Sequence, residues 1–357
     1  VIFTVPGPGG TNLATALQSA YEDSVPVVAI TSALADNMRN KSAIHDVDME
    51  NALKSCVKKV LVPDSVAGIP PAVDAAFKWA VAGRPGPVQV VVKANLLRAE
   101  EERVLRAPEF PLPEAPPALD EAALDKAAEM LLAAKRPVIY AGFGVEVSGC
   151  GRQLQLLASK LGAPIVTSIK GRGFLSEKDP LCFGVATFEG CEDMLSDADL
   201  CLAVGTGFGQ FATLYYRVPI PENLIQIDID PARLGSNYPA KLGIEADALE
   251  AIERILKRFE GTPELPPGEG HFRARTSKSV YAERLQAYMD KPASPPFDGL
   301  FVMKTIRDAF PPDTIFISDS SATQSWLMEQ AFEIHRPRSV LLSEAYQSMG
   351  YGVPAAY

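Results

Sequence analysis

The sequence has few of the residues that metal centres and disulfide frameworks need. Its five cysteines include no Cys-x-x-Cys pair, and the three histidines, His45, His271 and His335, stand far apart. A zinc site needs such side chains at short spacing. The sequence therefore predicts no zinc site. Unpaired cysteines are typical of a reducing compartment, so we expect buried free thiols and a cytoplasmic protein.

Long apolar runs and an excess of basic residues are missing as well. The best apolar stretch, residues 25–35, is interrupted by Thr31 and Ser32, and a bilayer-spanning helix needs about 18 or more apolar residues. The chain has 34 Lys and Arg against 44 Asp and Glu, a net charge of −10, whereas nucleic-acid binding needs clustered cations. We expect small molecules as ligands, with no nucleic acid and no membrane as partners.

Two proline-rich stretches divide the 357 residues. The first contains Pro108 to Pro117; the second runs from Thr262 to Pro296, with a helical pattern near Val280 to Tyr288 before its last prolines. Proline is excluded from helix interiors and from central strands. We therefore predict three domains at residues 1–98, 118–260 and 297–357, joined by linkers at 99–117 and 261–296.

Apolar runs alternate with helical patterns in each part. Strands are predicted at residues 1–5, 25–30, 88–92, 136–141, 164–167, 200–204, 224–229, 314–317 and 340–342, and helices from 12 and 323 and near 73–82, 153–161, 248–257 and 302–309. This alternation predicts an α/β fold of consecutive domains with mainly parallel sheets. Because the chain opens on a strand at Val1 and stops at Tyr357 soon after a helix-starting Pro354, we expect the first and last domains to be truncated.

Glycine-rich turns follow several of these strands. The run Pro6 to Asn12 lies where a strand meets a helix, the place at which open α/β sheets bind ligands; a packing turn is the alternative. Turns at residues 141–145 and 204–209, with the acidic strand end at 228–230, suggest a nucleotide-shaped crevice or an empty Rossmann-like scaffold. The stretch Asp319 to Thr323 fits either a phosphate cradle or an ordinary helix cap.

Taken in order, these segments resemble the thiamine-diphosphate-dependent enzymes, the family that includes acetolactate synthase large subunits, benzaldehyde lyase and oxalyl-CoA decarboxylase. The resemblance rests on residues 7–12, 23–30 and 83–88 for the pyrimidine-binding domain, 136–138, 161–166 and 227–230 for the central domain, and 349–356 for the diphosphate-binding domain. It implies that the chain holds the second half of a pyrimidine-binding domain, a complete central Rossmann-like domain and the first part of a diphosphate-binding domain.

The resemblance also assigns cofactor contacts to both outer domains. The residues are Pro8, Gly9 and Asn12 near the aminopyrimidine in one subunit, and Ser321, Ala322, Thr323, Met349 and Gly350 in the other. The three residues 321–323 would meet the diphosphate, while Met349 would present its backbone to the aminopyrimidine and Gly350 would permit close approach. A cofactor shared in this way implies a homodimer or homotetramer.

Two elements of the family are expected outside this sequence. The glutamate that activates the aminopyrimidine would precede Val1, and the Gly-Asp-Gly…Asn stretch that holds Mg²⁺ would follow Tyr357. We therefore expect residues 1–357 alone to be inactive. His45 stands where many relatives have glutamine. It is a catalytic candidate that could donate a proton to a carbonyl or steer an acceptor, and a packed loop histidine is the alternative.

The implied activity is the decarboxylation and carboligation of a 2-oxo acid, with a simple decarboxylase or carbon–carbon lyase as the alternative within the family. Flavin-binding acetolactate synthases use an Arg-Phe-Asp-Asp-Arg stretch where this chain has residues 206–210, without the arginines or the paired aspartates. This argues against FAD and leaves ADP, another nucleotide or no ligand for the central domain. A nucleotide-binding oxidoreductase, or a non-catalytic subunit, is the alternative from another class.

Overall fold

The computed structural model describes residues 1–99, 109–290, 295–321 and 329–357. The chain divides into two compact units. The first unit comprises residues 1–116 with 345–348, and the second comprises 117–344 with 349–357. The division into three domains stays a prediction.

The first unit is built on a four-stranded parallel sheet. Its strands are β1 (Ile2–Thr4), β2 (Val27–Ala33), β3 (Lys59–Leu61) and β4 (Pro87–Lys93), and its helices are α1 (Pro8–Thr11), α2 (Ala14–Glu22), α3 (Met49–Ala52), α4 (Ile69–Val81) and α5 (Ala94–Leu97). The strand order is β1-β2-β4-β3. Strand β4 is almost wholly buried, because its run of β-branched valines packs into a core on each face of the sheet.

The second unit contains a six-stranded parallel sheet and a two-stranded one. The strands of the larger sheet are β5 (Pro137–Ala141), β6 (Ile165–Thr167), β7 (Cys182–Val185), β8 (Leu200–Val204), β9 (Leu224–Asp228) and β10 (Leu242–Glu245). The smaller sheet pairs β11 (Phe316–Ile317) with β12 (Val340–Leu341). The helices are α6 (Glu121–Ala133), α7 (Phe143–Ser148), α8 (Gly151–Leu161), α9 (Cys191–Ser196), α10 (Ala248–Arg258), α11 (Glu269–Met289), α12 (Gly299–Ala309), α13 (Glu329–Ala331) and α14 (Gly352–Ala356).

The larger sheet has the order β10-β9-β8-β5-β6-β7. The chain winds outward from β5 through β6 and β7, then returns to β8 and winds outward on the other side. Such a doubly wound sheet has a topological switch point between its two central strands, here β5 and β8, and a crevice at their carboxyl ends. Apolar cores cover both faces of this sheet. The prediction of an α/β fold with mainly parallel sheets is confirmed.

Aspartates fix the starts of three helices in the second unit. The side chain of Asp120 accepts from the N–H of Ala123, that of Asp247 from Leu249 and Glu250, and that of Asp298 from Leu300. Each bond satisfies a backbone donor that has no partner within its helix, and the negative charge suits the helix start. No helix in the described part of the chain is long and apolar enough to cross a membrane.

Candidate functional site

The predicted cofactor turn in the first unit is a tight bend between β1 and α1. Gly7 has φ +66°, and its carbonyl accepts from the N–H of Thr11 at 3.0 Å. Pro8 opens α1, where its missing N–H costs nothing. Pro8 and Asn12 are exposed while Gly7 is buried and Gly9 half-buried, so the turn shows its proline ring and its amide side chain on the surface of the unit.

His45 lies directly against this turn. A Cβ added at Gly7 would stand 2.8 Å from the Cβ of His45 and 3.0 Å from its Cα, so only glycine fits there. His45 is exposed and has φ +67°, a backbone region that few non-glycine residues adopt. Asp46 braces the loop by accepting from the N–H of Asn40 at 2.6 Å and pairing with Arg39 at 3.2 Å. The structure thus brings His45 and the predicted cofactor turn together.

One candidate residue of the second unit, Gly350, bonds to the carboxylate of Asp319. Asp319 follows β11, and its side chain accepts from the N–H groups of Ser320 at 2.7 Å, Gly350 at 2.8 Å and Gly352 at 3.0 Å. The bond from the Gly352 N–H lowers the pKa of Asp319 most, and the bonds from Gly350 and Ser320 lower it further, so that it lies below its ordinary value. The carboxylate is therefore ionised at neutral pH, and its acceptor role is lost only as the pH falls below the ordinary aspartate range.

This carboxylate links two segments that the sequence analysis placed on the cofactor. Ser321 is exposed just beyond it, and Met349 is 85% exposed beside Gly350, which has φ +85°. Ala322 and Thr323 lie outside the described residues. No role was predicted for Asp319 itself. The only signal in the sequence is an acidic residue at a strand end followed by two serines.

The backbone N–H groups in the glycine turns of the central sheet donate to carbonyls of the fold itself. The N–H of Gly142 donates to Val204 O at 2.9 Å, that of Gly144 to Gly205 O at 3.0 Å, and that of Gly205 to Ile227 O at 2.9 Å. A Cβ at Gly142 would stand 2.1 Å from Gly205 O. A phosphate cradle needs amides that point at the ligand. The amides of these three glycines are instead bonded within the fold.

The aspartates at the end of β9 form hydrogen bonds within the turn that follows it. The side chain of Asp228 accepts from the N–H of Asp230 at 2.9 Å, and that of Asp230 accepts from Ala232 at 3.1 Å. Phe208 is 1% exposed and packs edge-on against Tyr140, with ring centroids 4.9 Å apart. These contacts explain the glycines, the aspartates and Phe208 by packing and turn formation, without a bound nucleotide.

Four of the five cysteines, all but the half-buried Cys56, are buried. All five are free thiols, and burial raises the pKa of Cys182 and Cys201 to about 12. A thiol with so high a pKa is protonated at neutral pH and is a poor nucleophile. Within residues 1–99, 109–290, 295–321 and 329–357, no three His, Cys, Asp or Glu side chains are grouped so that they could hold a metal ion.

Comparison with known proteins agrees with this doubly wound sheet. Residues 124–255 match the thiamine pyrophosphate enzyme central domain. They begin within α6 and end within α10, and so span β5 to β10. The chain is therefore similar to the thiamine-pyrophosphate-dependent enzymes. Within that family it is similar to the acetolactate synthase large subunits, and the resemblance drawn from its sequence is confirmed.

Three relatives illustrate the match. A probable acetolactate synthase large subunit of Methanocaldococcus jannaschii is 29% identical over 100% of this chain and 62% of its own length. A probable 2-ketoarginine decarboxylase of Pseudomonas aeruginosa is 32% identical over 99% of this chain and 62% of its own length. The acetolactate synthase isozyme 1 large subunit of Escherichia coli is 28% identical over 100% and 62%. The chain thus spans about three fifths of the length of these relatives.

Proposed function

We propose that the whole protein is a thiamine-diphosphate-dependent enzyme that decarboxylates a 2-oxo acid and joins the product to a second carbonyl compound, as acetolactate synthases do. The observation that carries the proposal is the arrangement around Asp319. One carboxylate ties the segment that would meet the diphosphate to the turn that would meet the aminopyrimidine. The similarity to acetolactate synthase large subunits along the chain supports the same activity.

The residues present fit the cofactor. Gly7 leaves no room for a Cβ against His45, and the exposed Pro8 and Asn12 give the turn a flat apolar face beside an amide. In the second unit Gly350 needs its left-handed conformation, and a Cβ at Gly352 would crowd Asp319 at 3.3 Å. Gly350, by contrast, has no heavy atom within 4 Å of an added Cβ, and such an open glycine lets a ligand approach the backbone closely. Pro8, Gly9 and Asn12 would hold the aminopyrimidine in one subunit.

In the other subunit, Met349 and Gly350 would complete the aminopyrimidine pocket, and Ser321, Ala322 and Thr323 would receive the diphosphate. Thiamine diphosphate, when bound, supplies the electron sink that decarboxylation of a 2-oxo acid requires. Mg²⁺ belongs to the proposal because a diphosphate carries charge that a divalent cation neutralises. A site shared between subunits makes the protein a homodimer or homotetramer. Its location in the cytoplasm stays a prediction.

The relatives suggest two candidate donors. Acetolactate synthase relatives favour pyruvate, whereas the relative described as a 2-ketoarginine decarboxylase favours a 2-oxo acid with a guanidinium tail and no ligation step. This second candidate differs in product as well as in substrate. The two are separable in a single assay.

We expect the whole protein, supplied with thiamine diphosphate, Mg²⁺ and pyruvate, to form acetolactate. Product analysis by ¹³C NMR distinguishes acetolactate from acetaldehyde, and 2-ketoarginine serves as the competing donor. Acetaldehyde alone, or turnover of 2-ketoarginine alone, would favour the non-ligating decarboxylase. A failure of the whole protein to bind thiamine diphosphate in calorimetry would contradict the proposal. Residues 1–357 in the same assay are expected to show no turnover.

His45 is the candidate catalytic residue of the first unit. If it donates a proton to a substrate carbonyl, His45→Ala should lower kcat of the whole protein by about 100-fold, the low end of what general acid–base groups contribute. His45→Gln, which keeps a hydrogen-bond donor, should lose less. His271→Ala, on α11, is the matched control. A His45→Ala variant that keeps kcat within about twofold would leave His45 as a packed loop residue.

A further inference from the structure

Asp319 is half-buried and accepts three backbone hydrogen bonds through its side chain. One oxygen, Oδ1, accepts from the N–H groups of Ser320 and Gly350, and the other, Oδ2, accepts from Gly352. Two of these donors lie more than 30 residues further along the chain. The side chain therefore joins the end of β11 to the start of α14.

The turn from Met349 to Gly352 is flanked by exposed side chains. Met349 and Val353 are 85% and 83% exposed, so burial of their side chains contributes little. Gly350 has φ +85° with no neighbouring heavy atom within 4 Å of an added Cβ, which describes a turn that is open on its outer side. An ionised carboxylate that receives N–H groups on both oxygens forms stronger and more directional bonds than a neutral side chain would.

The same carboxylate fixes the serine segment. Ser320 donates its backbone N–H to Asp319, and the hydroxyls of Ser318 and Ser321 donate to the Asp319 carbonyl at 3.1 and 3.5 Å. The backbone at residue 319 thus orders the residues that follow β11, while its side chain orders the glycine turn. The distance between the two segments is set by a single residue.

We propose that Asp319 is a positioning residue of the thiamine diphosphate site, which holds the Met349–Gly350 peptide at a fixed distance from Ser320 and Ser321 before the cofactor binds. This inference rests on the proposed function and deepens it. If the turn samples the competent geometry only a tenth of the time without the carboxylate, the apparent dissociation constant rises about tenfold. The effect falls on cofactor affinity more than on the chemistry that follows.

The test uses the whole protein and its Asp319→Asn variant. Asparagine keeps the shape of the side chain, but its NH₂ group would face an N–H where a carboxylate oxygen accepts one. Calorimetric titration with thiamine diphosphate and Mg²⁺ is expected to give a dissociation constant raised about tenfold or more. Hydrogen exchange of the amides of Gly350 and Gly352, measured without cofactor, is expected to become faster. Asp313→Asn, an exposed carboxylate just before β11, should change neither quantity.

Asp319→Glu separates positioning from charge and carries the test if the asparagine variant fails to fold. It keeps the negative charge but moves the carboxylate by one methylene, so a positioning role predicts weakened binding here too. Affinity restored to within about twofold by glutamate, or unchanged affinity in the asparagine variant, would overturn the inference. These results differ from failure of the proposed function, in which the unaltered protein itself would not bind thiamine diphosphate.

Discussion

Glu177→Ala is expected to lower the free energy of unfolding by about 3–5 kcal/mol, because it breaks a buried ion pair. The side chains of Arg172 and Glu177 are only 6% and 8% exposed. Glu177 Oε1 accepts from Arg172 Nε at 2.6 Å, and Oε2 accepts from Arg172 Nη2 at 2.9 Å. Without Glu177 the guanidinium stays buried with the Phe332 carbonyl, to which Nη2 also donates, and the ring of Phe188, 5.5 Å away.

Glu177→Ala also removes a hydrogen bond outside the ion pair. Glu177 Oε2 also accepts from the N–H of Ile334 at 2.8 Å, and the backbone N–H of Glu177 donates to Ile334 O at 2.9 Å. The pair therefore docks the segment around Phe332 to Ile334 onto the loop after β6. Removing the carboxylate leaves a buried backbone donor unpaired as well as a charge, and each carries its own desolvation cost.

Urea denaturation followed by circular dichroism measures the effect. The matched control is Glu129→Ala, which breaks the exposed pair between Glu129 and Lys126 and should cost about 0.5 kcal/mol or less. Replacing both partners, as Arg172→Met with Glu177→Leu, should cost less than Glu177→Ala alone, because no uncompensated charge remains. Equal losses of unfolding free energy for Glu177→Ala and Glu129→Ala would show that the buried pair stabilises the fold no more than an exposed pair does.

Most strands could be predicted from local sequence where they are buried on both faces. Leu200–Val204 was predicted with its observed bounds, because five successive apolar residues read as an interior parallel strand. The strands that the prediction missed are β3, β7 and β10. Each is short and lies at the edge of its sheet, and each contains a glycine or a charged residue that leaves only a short apolar run. Edge strands need less apolar sequence, so their local signal is weak.

Helix α11 was predicted only in part, again because its local sequence signal is weak. The pattern near Val280 to Tyr288 predicted only its second half, and the structure extends it back to Glu269. Only Gly270, Ala274 and Ser277 are buried along it, so no broad apolar stripe marks its first turns. The helix from residue 323 cannot be compared, since residues 322–328 are outside the described part. Helix α13 is described from Glu329 to Ala331.

The glycine turns of the candidate site could be predicted from the sequence, but the contacts that join them to other segments could not. A glycine turn at the end of a strand predicts where backbone can approach a ligand, and Gly7 and Gly350 do adopt the left-handed conformation. Neither the contact of Gly7 with His45 nor the bonds from Asp319 to Gly350 could be predicted from spacing. Both join residues more than 30 positions apart, and only the folded chain decides such contacts.

Gly142→Ala is expected to destabilise the second unit by about 3 kcal/mol or more, the upper end of the cost of overpacking. An added Cβ would stand 2.1 Å from the Gly205 carbonyl oxygen and 2.6 Å from Thr206 Cβ. The backbone of Gly142 has φ −94°, which any residue adopts, so the strain comes from the contact alone. Relief would require β5 and β8 to move apart at the switch point, where the N–H of Gly142 donates to Val204 O.

Gly209→Ala is the matched control, since no heavy atom lies within 4 Å of its added Cβ; its stability should change by about 0.5 kcal/mol or less. Soluble yield and thermal unfolding report both variants even when Gly142→Ala folds poorly. The comparison also decides between two roles for the central turn. If the turn cradled a nucleotide, Gly142→Ala would fold normally and lose affinity for NAD or FAD. If its glycines serve packing, stability falls and the unaltered chain binds neither nucleotide, because the amides of Gly142, Gly144 and Gly205 are already bonded to carbonyls of the sheet.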